Sequence, residues 1–225
     1  MVSRANHPKV TEVILSWVSE RLGVAAKQAE DIILRDYLLS AVQQYNCKGG
    51  LNGDNPTNMV VRDASNVSST LNTNNAFKFL NGKEGEDKYG SSPVRAAYMV
   101  FCHTEMEPDL DGLDDFTSSW NYPNQNNVCY SEYGAVLNLR FFTSSQSAVQ
   151  RGASALGADV FNNMVVARES YSHIDQDGYS MRLIYRDPIF SGPLALNGTF
   201  GVKFAQAQAI LQDTWIRNMR CTLSA

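Results

Sequence analysis

The chain has 225 residues, 44% of them hydrophobic and 19% charged, an ordinary globular balance that allows a real core in one large domain or two small ones. Its 19 Lys and Arg are scattered singly and are outnumbered by 23 Asp and Glu, giving a formal net charge of -4. Gripping a nucleic-acid backbone needs clustered cations that displace counterions, so the composition argues against tight or sequence-specific DNA binding.

In chain order, Val10, Val13, Ile14, Trp17, Leu22, Ala25, Ala29, Ile32, Ile33, Tyr37 and Ala41 recur at spacings near three and four. This periodicity predicts one helix over about 10–46, roughly 55 Å long at 1.5 Å per residue. Pro8 suits a first helical turn, Gly49-Gly50 closes the far end, and Gly23 marks the point of a bend. A helix this long needs a sheet or a neighbouring subunit to lie against. The stripe of Trp17, Tyr37 and Tyr45 has helical spacing and reads as packing surface before ligand face.

A polar loop over Gly49–Thr57 leads to a short strand at Val60-Val61 and one or two short helices over Asn66–Leu80. Asn81–Ser92 is a turn-rich, charged surface segment. Ala96–Phe101 is an apolar run of strand length, followed by a predicted helix over about Glu105–Phe116 and a polar stretch with Trp120, Tyr122 and Asn124–Asn127. Ala135–Phe142 is a second strand and 143–157 a Ser-, Ala- and Gly-rich exposed loop. Val160–Val166 is a strand, Arg168–Tyr171 a helical turn, and strands follow at about 179–186, 198–211 and 214–223. Alternation of Tyr179, Met181, Leu183 and Tyr185 is the pattern of a half-buried strand. A long helix, a mixed section and a terminal run of antiparallel strands together indicate an α+β fold.

The residues that could carry chemistry do not converge. Cys47, Cys102, Cys129 and Cys221 are far apart without a C-x-x-C pair, so no zinc site is expected and reduced thiols are the default. No stretch reads as a secretory leader or a membrane span, so the sequons at Asn66 and Asn197 are expected to be irrelevant. Cys102-His103 offers a thiol beside a base, but neighbours on a strand point to opposite faces, and a core cysteine followed by an exposed histidine explains the pair. Glu105, Glu107, Asp109, Asp111, Asp114 and Asp115 lack the fixed alternation of a calcium loop and read as a solvated acidic face. Gly82-Lys83-Glu84-Gly85 lacks phosphate-loop spacing, and no G-x-S-x-G occurs. No catalytic residue, cofactor or metal is assigned.

Several segments along the chain carry a further signal when taken in order. The helix carries Leu22-Gly23, Ala25-Ala26, Asp31 and Arg35-Asp36-Tyr37-Leu38. Then come Gly157–Phe161, Arg168–Tyr171, Asp187-Pro188, Gly198–Phe204 and Ile210–Trp215. In this order the chain resembles the major head (capsid) protein of N-four-type podophages and their relatives over Val10–Thr222. The resemblance implies a Hong Kong 97-type capsid fold, with 1–57 as spine helix and loop of the peripheral domain, 58–165 as axial domain and 166–225 as the return to the peripheral domain. Family members carry an N-terminal arm and an extended loop ahead of the long helix. Here the helix begins near Met1, so the expectation is peripheral plus axial domains without them.

What the resemblance implies about function is structural: a subunit, not an enzyme, that joins its own copies in hexamers and pentamers around double-stranded DNA it does not grip. Scaffold, portal and decoration proteins are the further expected partners, with no membrane; the location is the virion, after assembly in the host bacterial cytoplasm. Arg35 and Asp36 are expected to pair on the helix or bridge to a neighbour, Lys203 to do likewise from its strand, and Trp215 to pack beneath the helix. The alternatives are a nanocompartment shell of the same fold, a decoration or connector protein, or a small hydrolase using Cys102 or Cys129.

Overall fold

The computed structural model describes residues 7–49, 54–79, 96–122, 128–175, 181–186 and 199–224. The predicted surface segment Asn81–Ser92, the stretch Asn124–Asn127, Asp187-Pro188 and the predicted strand residue Tyr179 lie outside them. The elements are α1 (His7–Ala41), β1 (Gln43–Asn46), α2 (Val61–Thr73), β2 (Tyr98–His103), α3 (Glu107–Asp111), β3 (Thr117–Ser118), β4 (Glu132–Val136) and β5 (Leu139–Ser144). They continue with β6 (Val149–Gln150), β7 (Val160–Val166), β8 (Tyr171–Asp175), β9 (Arg182–Arg186), β10 (Thr199–Lys203), β11 (Gln206–Ile210) and β12 (Ile216–Cys221). Two compact units result: Met1–Leu34 with His173–Ala209, and Arg35–Ser172 with Ile210–Ala225.

The larger unit is built on a mixed sheet in the order β1-β12-β7-β2-β5-β4-β3, with β6 also paired to β7. β7 runs antiparallel between β12 and β2, placing Val166 opposite Ile216 and Val165 opposite Val100. Every residue of β7 is buried, including Asn162 and Asn163 in the middle of its otherwise apolar sequence. Its two polar residues are bonded inside: Asn162 Oδ1 accepts from Asn218 Nδ2 at 2.9 Å, and Asn163 Nδ2 donates to Cys221 Sγ at 3.0 Å. Ala64, Val67 and Leu71 form one face of α2 and enter the same core as Tyr98, Phe141, Phe161, Met106 and Met219.

Several local expectations are corrected. The helix stops at Ala41, and Gln43–Asn46 form β1, parallel to β12 with Gln43 opposite Arg217. A strand edge supplied from the far end of the chain decides this, because local propensity is a weak prior beside ladder pairing. Val60 caps a helix rather than forming a strand: Asp63 in the first turn accepts from Val60 N at 3.3 Å and from Tyr45 Oη at 3.0 Å. That helix ends at Thr73, Asn75 turns the chain at φ 53°, and Phe77 and Phe79 form bridges to Arg168 and Ala97.

The predicted 105–116 helix is shorter, with Thr104–Met106 a 3-10 turn and α3 ending at Asp111. The single strand predicted over 135–142 is a hairpin of β4 and β5, turned at Leu137 with φ 52°. Leucine seldom adopts this conformation, so no local turn signal marked the hairpin. Glu169 at φ 62° leads into β8 where a helical turn was expected, and the predicted 198–211 strand divides into β10 and β11.

In the smaller unit β8 pairs with β11, while β9 and β10 form a separate two-stranded ribbon. His173 Nε2 lies 3.3 Å from Glu30 Oε1, linking β8 to α1, and Lys27 Nζ reaches Glu30 Oε2 at 2.8 Å. Trp17, Val24 and Ile33 of α1 are exposed, so the helix carries apolar surface beyond what its own unit covers.

Candidate assembly surfaces

Arg35 and Asp36 pair on the long helix, with Arg35 Nε and Nη2 donating to Asp36 Oδ1 at 2.9 and 2.7 Å. Arg35 Nη1 also donates to the carbonyl of Gln146, so it ties the end of α1 to the turn after β5. Trp215 is placed differently from the expectation. Its indole N–H donates to the carbonyl of Asn74 at 3.0 Å, and its ring meets Phe77 edge-on at 4.9 Å. Asn74 Nδ2 returns a bond to the Thr214 carbonyl at 3.0 Å, so Trp215 locks the end of α2 rather than underlying α1.

Lys203 lies at the end of the β9–β10 ribbon, directly opposite Arg182. Cross-strand pairing sorts this ribbon into two faces. Leu183 and Tyr185 share one face with Val202 and Phe200, and the Tyr185 and Phe200 rings lie 4.7 Å apart. Arg182, Ile184 and Arg186 share the other with Lys203, Gly201 and Thr199, with open space above Gly201. All of β9 is exposed, including Leu183, Ile184 and Tyr185 at 47%, 51% and 41%. A lone two-stranded ribbon is marginal in water, and an apolar quartet half open to solvent is the kind of surface a partner covers. Alternation over Leu183 and Tyr185 was visible in sequence; the partner strand and the exposure were not.

The acidic segment is not a plain solvated face. Glu105 receives Arg151 at 2.8 and 3.1 Å, and Asp159 receives the same guanidinium at 2.6 Å and the Gly152 N–H at 2.7 Å. The Arg151 guanidinium holds both carboxyls below their ordinary range. Asp109 accepts from Ser224 N at 2.8 Å and Asp111 from Tyr133 Oη at 2.7 Å. Burial first, and then the Asp111 carboxylate, push the Tyr133 phenol up to about 12. Arg151 had no signal in the sequence because Glu105 lies 46 residues away and Asp159 is brought back to it only by the intervening turn.

The cysteines are placed unlike a nucleophile beside its base. Cys102 is fully buried, burial pushes its thiol well above the ordinary range, and its sulfur faces the Phe142 carbonyl at 3.5 Å. His103 is half-buried rather than exposed, and its Nδ1 accepts from Glu105 N at 3.2 Å. The Cys129 sulfur accepts from Arg140 Nη2 at 3.7 Å. Among the described residues no group of three or more His, Cys, Asp or Glu is arranged to hold a metal, and no helix is long and apolar enough to cross a membrane.

No protein-family model matches the chain, and no curated protein matches it in sequence. Solved structures do. A chain from Mycobacterium phage Che8 is 12% identical at a TM-score of 0.54, over 90% of this chain and 61% of its own. A chain from the head structure of Helicobacter pylori bacteriophage KHP40 is 8% identical at a TM-score of 0.60, over 93% of this chain and 68% of its own. The present chain thus spans 61% of the length of the Che8 chain. At these identities the likeness is one of fold: a mixed α+β architecture with one large sheet and few helices, shared with a bacteriophage head structure.

Proposed function

We propose that the chain is a structural, non-enzymatic subunit of a tailed-bacteriophage capsid, with a Hong Kong 97-type fold and affinity with the N-four-type podophages. The observation that carries this reading is the fold likeness to a phage head chain over 93% of the present chain. The exposed ribbon supports it, because a shell subunit must leave apolar surface for its neighbours. Head-to-tail contacts of this kind close into rings, which serve as hexamers and pentamers, and many weak contacts then act together. In this reading the section 58–165 is the axial domain, while 1–57 and 166–225 belong to the peripheral domain.

Packaged double-stranded DNA is enclosed without being gripped, in keeping with the net charge of -4. Portal, scaffold and decoration proteins are further partners, and the subunit assembles in the host cytoplasm before residing in the virion. Arg35, Asp36 and Lys203 are offered as residues at or beside the inter-subunit contacts. Negative-stain microscopy and sedimentation of the purified chain at rising concentration should reveal rings or shells. A strictly monomeric species at the highest concentration would overturn the reading.

A further inference from the structure

The core of the larger unit holds two free thiols side by side. β1 and β12 pair in parallel, ending with Asn46 opposite Arg220, and Cys47 N donates to the Arg220 carbonyl at 2.8 Å to close the last rung. The next residues along the two chains are Cys47 and Cys221. Neighbouring residues on paired strands project to the same side of a sheet, and both of these enter one hydrophobic core with no exposure. Strands pair at about 4.7–4.9 Å, inside the range of about 4.4–6.8 Å between Cα atoms that a disulfide spans. Cys221, and then burial, push the Cys47 thiol well above its ordinary range. The Cys221 sulfur is held by Asn163 Nδ2 at 3.0 Å and lies 3.6 Å from Met106 Sδ. Both cysteines are free.

We propose that Cys47 and Cys221 are a covalent modification site, oxidised by a small-molecule disulfide to an intrachain cross-link that fastens β1 to β12. One thiol loses its proton and attacks the small disulfide, forming a mixed disulfide and releasing one small thiolate. The second protein thiolate attacks the bonded protein sulfur, forms the Cys47–Cys221 bond and releases the other small thiolate. Two electrons pass to the small disulfide, and the two protein protons end on its two thiols. Neither sulfur is reachable in the closed fold, so exchange awaits opening of β1, a four-residue strand at the edge of the sheet. The pair therefore stays reduced where thiols are kept reduced, and closes slowly where they are not. The ring so closed contains on the order of 170 residues, near the upper end of what chain-entropy arguments reward.

The test treats the native chain with oxidised glutathione over days, blocks remaining thiols after unfolding, and maps the peptides by mass spectrometry. Expected are a mass loss of about 2 Da, one cross-linked pair of peptides carrying Cys47 and Cys221, and a rise in Tm on the order of 5 °C that dithiothreitol reverses. A Cys102→Ala, Cys129→Ser variant keeps only the proposed pair and should cross-link the same way; the wild-type peptide map decides if that variant is unstable. Recovery of both cysteines as free thiols overturns the proposal. So does a stable glutathione adduct without closure, or a cross-link that involves Cys102.

Discussion

Arg140 and Glu132 form an ion pair inside the sheet, with Arg140 Nε donating to Glu132 Oε1 at 2.7 Å and Nη2 to Oε2. Their side chains are 3% and 0% exposed. The carboxylate also accepts from Tyr122 Oη at 3.1 Å and from Cys129 N at 3.0 Å, so nearly every lone pair has a donor. Arg140 lies on β5 and Glu132 on β4, next to the register shift between Glu132 and Gly134. The pair therefore fixes the hairpin at the end where its ladder is irregular.

Removing one partner strands the other charge. Arg140→Ala is expected to destabilise the fold by about 3–5 kcal/mol, and Glu132→Ala by a similar amount. Replacing both by apolar residues of matching volume should recover most of that loss. Urea unfolding of the two single variants and the double variant checks it; additive losses would show that the two residues do not act as a pair.

Trp215→Phe keeps the ring but loses the donor to the Asn74 carbonyl. The expected cost is about 1 kcal/mol, since a partly buried carbonyl loses its bond while the edge contact with Phe77 remains. Chemical denaturation measures it. No change in midpoint would mean that water replaces the indole without loss.

The Arg151 cluster should give a pH signature. Glu105 and Asp159 have depressed pKa values in the folded chain, so their contribution is complete above the ordinary carboxylate range, near pH 4, and disappears as pH falls through the depressed values. The Tm difference between the wild type and Arg151→Met is therefore expected to be largest above about pH 5 and to vanish toward pH 2. A difference independent of pH over that range would remove the electrostatic explanation.

On the β9–β10 ribbon, Leu183→Asp alters a side chain that is already 47% exposed, so folding should change by less than about 1 kcal/mol. If the apolar face is an inter-subunit contact, self-association should weaken at least about tenfold, the cost typical of a substantial contact residue. Sedimentation equilibrium and circular dichroism on one sample separate the two effects. Unchanged association would take the ribbon out of the interface and leave the fold likeness to phage heads untouched.

Residues 10–41 were legible as a helix because one period persists over many turns, although the prediction ran on to 46, and β7 was legible from the apolar residues at both ends of Val160–Val166. The α+β class was legible too. Gln43–Asn46 were not, since their strand exists only because Ile216–Cys221 returns beside them. Leu137 gave no sign of a hairpin turn, as a leucine at φ 52° is stabilised by its surroundings and not by its own preference.

The four cysteines, read in the sequence, were reduced thiols far apart in the chain without a zinc-type pair. The amino-acid order alone determined which segments are periodic, which are apolar and how charge is spread, because these depend on residue type and local spacing. Only the tertiary structure decided that Trp215 locks α2, that β9 stays exposed, and that Cys47 and Cys221 enter one core. Each of these joins parts of the chain that local rules treat as independent, and the free energy of long-range pairing and burial settles them.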